Sequence, residues 1–404
     1  MHITHRQLFF DHLAQTSDFP LALDIERAEG IYMYDRDGKR YLDLISGIGV
    51  SSVGHRHPEV LKAIYDQLDK HMHLLVYGEY IQGTQVLLAS ALCNTLQLES
   101  ASPSPYGLIN NVYFTNSGTE AVEGAMKLAK RFTGRSEFIS CFNAYHGATQ
   151  GALSLSGAES FKRSFRPLLP EIKNIKHGRL EDLEKITKKT AGIVIEIVGG
   201  ESGIRLASKE YFKALRQKCT ETGTLLIFDE VQTGFGRTGS FWAFEQYDIY
   251  PDILLSAKGM GGGMPIGAFM ASHEVMQVLK TNPVLGHITT FGGHPVSCAA
   301  SLAALNVTLA DNLPAGSIPK GALFKSLLVH PKIKEVRGKG LMLAAEMESF
   351  EKLKKTIDGC IQKGVVTDWF LFCDESMRIA PPLTITEDQI RESVSIILEV
   401  LDAI

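Results

Sequence analysis

The sequence predicts an α/β protein: a large domain with a mostly parallel sheet sandwiched by helices, plus a smaller α+β domain drawn from the two chain ends. Three observations carry this reading. From about residue 110 to 300, short β-branched runs alternate with amphipathic stretches at helical spacing. The runs are apolar without a polar alternate face, the pattern of strands covered by helices on both sides. Beyond "LPAGSIPKG" (313–321) the texture changes, and an early hairpin pattern offers the chain's start as a companion to its end.

In chain order, "GIYMYDRDGKRYLDL" (30–44) reads first, as a hairpin with Asp37-Gly38 as its turn. Pro58, after His57, suits the first position of a helix. "NNVYFTN" (110–116) is a strand and "GTEAVEGAMKLAKRF" the helix after it. "EFISC", "AGIVIEIV", "TLLIFDEV" and "DILLSA" are further strands, and "KEYFKALRQKCTETG" is a helix capped by Gly223. "CAASLAALNVTLADN" is a helix, after which "LPAGSIPKG" breaks the chain. "IKEVRGKGLMLAAEM", a helix, a short strand and "MRIAPPLTITEDQIRESVSIILEVL" complete the smaller domain. The division is therefore 1–45 joining the small domain, 46–305 the large domain and 306–404 the small C-terminal domain.

Composition narrows the function. The 404 residues carry a net charge of −4 with 45% hydrophobic content, enough for a sizeable core and too balanced for a broad nucleic-acid surface. No apolar run approaches the roughly 20 residues that span a bilayer. "MHITHRQLFFDHLAQ" has no apolar core segment and no small-residue cleavage site, which speaks against export. Six cysteines are scattered without a CxxC pair, as in a cytoplasmic protein with reduced thiols. The pairs His55/His57 and His71/His73 have no acid or cysteine at a ligand spacing, so surface or capping roles are expected and no metal site.

Four signals fall at strand ends, where a parallel sheet places its ligand. Ser117, Gly118 and Thr119 open a helix and offer unpaired N–H groups and hydroxyls to an anion, although a plain helix cap has the same pattern. Asp229 ends the apolar strand "LLIFD". Lys258 follows the strand "ILL" by three residues and precedes a glycine run, as either a snorkelling cation or an amine activated by desolvation. Tyr145, in "NAYHGATQG", brings an aromatic face beside a turn. The "GFGRTG" stretch (234–239) formally matches a dinucleotide fingerprint. The residues after it are aromatic and Pro-containing rather than helical, so a glycine-rich surface loop is expected. An anion cradle, an acid, an aromatic plate and an amine together suit pyridoxal 5'-phosphate. That cofactor needs its phosphate held, its ring sandwiched, its ring nitrogen kept protonated and its aldehyde captured as a Schiff base.

Over nearly its whole length the sequence resembles the class III aminotransferases, pyridoxal-phosphate enzymes of fold type I. The resemblance rests on "GHRHPEV", "NSGTEA", "YHG", "FDEVQTGFGRTG", "AKGMGGGMPIGA", "TTFGGHP", "RGKGL" and "RIAPPLTIT" in the family's order. It implies that Ser117, Gly118 and Thr119 hold the phosphate and that Tyr145, with His146 beside it, and Val231 enclose the ring. Asp229 would pair with the ring nitrogen, Gln232 would reach the ring hydroxyl, and Lys258 would hold the cofactor and shuttle the proton. Thr290 would complete the phosphate site of a neighbouring subunit, implying a homodimer with shared active sites. Glu201 and Arg378 match the family's substrate pair, an arginine for carboxylates and an acid that covers it when a carboxylate is absent. The implied reaction moves an amino group from an ω-amino acid or amine donor to a 2-oxo acid, 2-oxoglutarate or pyruvate. Aminomutase, racemase and decarboxylase chemistry are alternatives on the same frame, and a non-catalytic nucleotide-binding protein is a remoter one. Three departures bear on the donor, one being that "QTSDFPLAL" lacks the tyrosine expected of ornithine aminotransferases. Ala148 stands where ornithine and acetylornithine enzymes usually carry arginine, and "TDWFLFCDES" (367–376) reads as an insertion without a family meaning.

Overall fold

Strand pairing in the computed structural model, which describes residues 4–100 and 102–404, centres on a seven-stranded sheet. Its order is Asn111–Thr115, Gly267–Ala271, Ile253–Ser256, Leu225–Asp229, Thr190–Glu196, Glu137–Cys141 and Ile172–Ile175. Only Gly267–Ala271 runs against its neighbours, pairing antiparallel on both sides. The alternation of the central strands explains their continuous apolar runs. Leu225 and Ile227 point into one buried cluster with Val194, Leu255 and Phe269, while Leu226 and Phe228 point into another with Ile193, Leu254 and Trp242. Each such side chain, removed from water, contributes roughly 1.5–3 kcal/mol.

The helices that cover these faces are those the spacing predicts. Gly118–Thr133 is capped by the Ser117 hydroxyl at its start and by Gly134 in the left-handed region at its end. Lys209–Thr222 ends the same way at Gly223. Smaller sheets flank the large one. Ile333–Lys339, Met342–Met347, Cys373–Ile379 and Trp369–Phe370 form a four-stranded sheet, against which the helices Phe350–Gln362 and Glu387–Ala403 stand. The predicted hairpin is present as Tyr32–Asp35 and Arg40–Asp43, and Val365–Val366 adds in parallel to its second strand.

Three expectations are corrected. "LPAGSIPKG" does not break the chain; it opens the helix Leu313–Leu327. Asn312, at φ 48°, makes the break, Pro314 sits in the first turn where no N–H is missed, and Leu313, Ser317, Gly321 and Phe324 bury one face. "GFGRTG" is not a surface loop. Its turns are buried around Arg237, 2% exposed, which donates to the carbonyls of Leu341 and Pro381 and to the hydroxyl of Ser52 at 3.2 Å. "TDWFLFCDES" is no loose insertion either, since it supplies Trp369–Phe370 and the start of Cys373–Ile379. No single helix among the described residues is long and apolar enough to cross a membrane.

Candidate active site

Four strands of the large sheet deliver polar groups to one cavity of about 510 Å³ at their carboxyl ends. Asp229 is the last residue of its strand. Its Oδ1 accepts the Val231 N–H at 3.0 Å, and its Oδ2 lies 2.7 Å from His146 Nδ1, both side chains being buried. Burial works against a charged His146, but the hydrogen bond and charge of Asp229 outweigh it and raise its pKa. The imidazole thus packs against the carboxyl group of Asp229 where that strand end meets the cavity.

Lys258 stands two residues past Ser256 and opens a single 3₁₀ turn, Lys258–Gly261. It adopts φ 47°, a left-handed conformation that strains a residue with a Cβ by roughly 1–2 kcal/mol. Burial lowers the pKa of its amine, with Glu201 pulling the other way and Arg378 adding to the lowering. A partly desolvated amine held in a strained turn is suited to being a nucleophile and base.

Ser117 caps its helix, its Oγ accepting the Glu120 N–H at 3.4 Å, and the first-turn amides of Gly118 and Thr119 have no intrahelical acceptor. Thr119 Oγ1 bonds Thr149 Oγ1 at 2.7 Å. Gly147, at φ 126°, lets the Tyr145–His146 turn come down on this helix end; a Cβ there would lie 2.2 Å from Thr119 Oγ1. Tyr145, Val231 and Gln232 also line the cavity.

A second cavity, of about 600 Å³, shares Tyr145 and Lys258 with the first and contains Glu201 and Arg378. Arg378 Nη1 and Nη2 meet the two Glu201 oxygens at 3.0 Å each, a bidentate pair with both side chains buried. Burial opposes ionisation of Glu201, but Arg378 outweighs it and holds its pKa below the usual range. Gln232 donates to Glu201 Oε1 at 3.1 Å and so links the two cavities.

Of the predicted site residues, Ser117, Gly118, Thr119, Tyr145, His146, Asp229, Val231, Gln232 and Lys258 line the first cavity, and Glu201 and Arg378 the second. Thr290 is exposed and lines neither. Two acids were missed. Glu196 ends its strand directly opposite Asp229 in the parallel register and lines the first cavity. Asp368 accepts from Arg378 Nε at 2.8 Å. Glu196 ends its strand as Asp229 does, but its apolar run continues through Ile197 and Val198 and so hides it, whereas nothing in the local pattern marks Asp368.

A strand-end amine, a buried acid and a helix N-terminus around one cavity define a cofactor-dependent enzyme of the aminotransferase kind. Residues 13–401 match the model of the class-III aminotransferases, and the chain belongs to that family. It is 38% identical to the acetylornithine aminotransferase of Methanopyrus kandleri over 97% of each chain. It is 36% identical to that of Aquifex aeolicus, over 94% of this chain and 97% of the other. Among solved structures, the ornithine aminotransferase of Toxoplasma gondii superposes with a TM-score of 0.89 at 28% identity, covering 99% of this chain and 96% of that one. An (S)-enantioselective omega-transaminase from Thermomicrobium roseum gives 0.89 at 27%, covering 98% and 97%. The protein is therefore a pyridoxal-phosphate-dependent aminotransferase of fold type I, transferring an amino group between an amine donor and a 2-oxo acid.

The residues present fit that cofactor. The free amides of Gly118 and Thr119 suit a phosphate, and the cavity also holds an aromatic ring, a carboxyl group beside an imidazole and a lysine. Val231 packs close enough that a methyl on Gly118 would lie 3.1 Å from its Cγ atoms, so the glycine allows the wall to close over a flat ring.

Proposed function

We propose that the donor presents a terminal primary amine, as an ω-amino acid or amine, and that the acceptor is 2-oxoglutarate or pyruvate. The observation that carries this is the Glu201–Arg378 pair facing the Lys258 amine across one continuous site. Bound pyridoxal phosphate supplies an aldehyde that takes up amines and a protonated ring that withdraws the electron pair freed at the substrate carbon. The chain supplies the rest. Asp229, held in place by His146, would keep the proton on the ring nitrogen. Tyr145 and Val231 bracket the ring, and Ser117, Gly118 and Thr119 bind the phosphate. Lys258 would hold the cofactor, and its Nζ would take the proton from the substrate carbon and return it to the cofactor carbon. Arg378 grips the carboxylate of the 2-oxo acid once Glu201 swings aside, and Glu201 covers it again when an amine without a carboxylate enters.

The relatives' names do not fix the donor, because Ala148 offers no charge to a second carboxylate on the cavity wall. We also infer a homodimer. The exposed apolar residues Tyr65, Met72, Tyr80 and Ile81, the last 94% exposed, and the exposed Val284, Ile288 and Phe291 belong to two stretches that meet where His73 packs on Phe291 at 4.9 Å. Thr290 lies in the second stretch and would complete a partner's phosphate site in such a dimer. All six cysteines are free, which supports the cytoplasm as location.

The test is the visible absorbance of the purified holoenzyme on adding amine donors without acceptor. The band of lysine-bound cofactor should bleach with a competent donor and return with a 2-oxo acid. Continued turnover of the amine without acceptor would overturn the transaminase reading.

A further inference from the structure

Arg378 is engaged beyond what carboxylate recognition requires. Besides the bidentate pair with Glu201, its Nη2 donates to the Trp369 carbonyl at 3.3 Å and its Nε to Asp368 Oδ1 at 2.8 Å. Its guanidinium also lies over the Phe370 ring, 4.4 Å from the centroid. Both hydrogen-bonding edges of the fork are therefore occupied, and two carboxylates face one guanidinium.

Asp368 is also fixed in place. Its carbonyl accepts the Arg378 N–H at 2.9 Å, and the neighbouring Thr367 hydroxyl donates to the Arg378 carbonyl at 2.6 Å. When Glu201 swings away, Asp368 stays on Nε. Its second oxygen, Oδ2, has no hydrogen-bond partner among the described residues, and its side chain is 21% exposed on the wall of the second cavity. Around it that wall is largely apolar, formed by Phe19, Leu21, Ile48, Trp369 and Leu371.

A half-buried carboxylate oxygen without a partner in an apolar wall favours a positive, hydrogen-bond-donating group and disfavours another carboxylate. A substrate carboxylate that replaces Glu201 restores two negative groups on one guanidinium, whereas an ammonium leaves the Glu201–Arg378–Asp368 cluster intact. We propose that Asp368 is a specificity-determining residue that biases the donor side toward diamines, one amine lying beside Lys258 while the other sits on Asp368 Oδ2. This rests on the aminotransferase reading above and narrows its donor class, and the 2-oxo acid still binds at Arg378.

The experiment compares matched donors, 1,4-diaminobutane with 4-aminobutanoate and 1,5-diaminopentane with 5-aminopentanoate, in the wild-type holoenzyme and in Asp368→Asn. Bleaching of the bound cofactor's visible band without acceptor gives the half-reaction rate of each. In the wild type the better diamine should exceed its amino-acid match at least about tenfold in rate per concentration, and in Asp368→Asn that ratio should fall at least about tenfold. Glutarate, an unreactive dicarboxylate, should bind Asp368→Asn more tightly than the wild type by calorimetry. A ratio in Asp368→Asn within twofold of the wild type overturns the proposal, as does unchanged or weaker glutarate binding. If the variant does not fold, the wild-type preference alone decides: an amino acid that outruns its matched diamine sinks the role of Asp368. If no amine of any kind bleaches the band, the aminotransferase reading itself fails.

Discussion

Around Lys258, the polar groups stand at the ends of strands in one sheet. Asp229 and Glu196 are register partners, and Lys258 and Ser117 each lie two residues past a strand of that sheet. Around Arg378, the groups come from distant parts of the chain. Glu201 follows a two-residue strand, Asp368 precedes another, and Arg378 lies in the smaller sheet. The first region is fixed by backbone pairing, the second by side-chain charges that can exchange partners. A cofactor that stays needs a fixed frame, whereas two substrates that alternate need a wall with two settings. If that contrast is right, changes in the first region should abolish chemistry and changes in the second should redistribute it.

The largest effect is expected from Lys258→Ala. Removing the amine that moves the proton should slow turnover by about 10⁴-fold or more, measured as single-turnover bleaching of added cofactor with a competent donor. The apoprotein should be no less stable by denaturant titration, since the substitution removes a buried amine whose charged form burial disfavours. A Lys258→Ala apoprotein that fails to fold would mean the turn is structural and would weaken the contrast. Next is Asp229→Asn, which leaves the shape of the site and removes the charge. Turnover should fall roughly 10²–10³-fold. The His146 pKa, followed by imidazole NMR, should drop, because Asp229 alone offsets most of the burial that disfavours the imidazolium.

Glu201→Gln tests the other half. Arg378 would keep Asp368 but lose the ionised partner on its other edge. The KM for a 2-oxo acid should fall by about tenfold, while kcat/KM for a carboxylate-free amine should fall by a similar factor. Steady-state kinetics with both substrates varied separates the two. Equal loss for both substrates would show that Glu201 serves the chemistry rather than the choice between partners.

The same contrast explains what the sequence made legible. Asp229, Lys258 and Ser117 each follow a short apolar run, and a parallel sheet turns that local pattern into a location. Glu196 has the same origin but was hidden, because the apolar run "AGIVIEIV" continues past it through Ile197 and Val198. Asp368 had no local signal; only the pairing of Trp369–Phe370 with Cys373–Ile379 brings it to Arg378. The antiparallel strand Gly267–Ala271 was missed for a different reason, its short Gly- and Ala-containing run lacking β-branched residues. The helix at Leu313–Leu327 was misread because Pro314 and Pro319 argue locally for a break, while burial of one face decided for a helix.

Glu196 gives the smallest effect and the sharpest comparison, since it shares strand register and burial with Asp229 but not its partners. Asp229 receives an imidazole and a backbone amide. Glu196 Oε1 accepts only the Gly200 N–H at 3.1 Å, and its Oε2 is buried without a partner. Burial, partly offset by His146, pushes its pKa up to about 7 from an ordinary 4.5. Between those values the folded chain keeps a proton that the unfolded chain has released. The associated stability is therefore complete below the ordinary pKa and is lost as pH rises through about 7. Glutamine can keep the bond from Gly200 and cannot ionise. In the apoprotein, Glu196→Gln should match the wild type near about pH 4.5 and exceed it by roughly 1–3 kcal/mol at about pH 8, read from denaturant midpoints at fixed protein concentration. Glu230, also pushed up to about 7 by burial, titrates in both proteins and drops out of the difference. A wild type that gained on the variant as pH rose would mean that Glu196 finds a partner for its charge in the folded chain. The two strand ends would then be equivalent carboxylates, and the selection of Asp229 for the ring nitrogen would have to come from position alone.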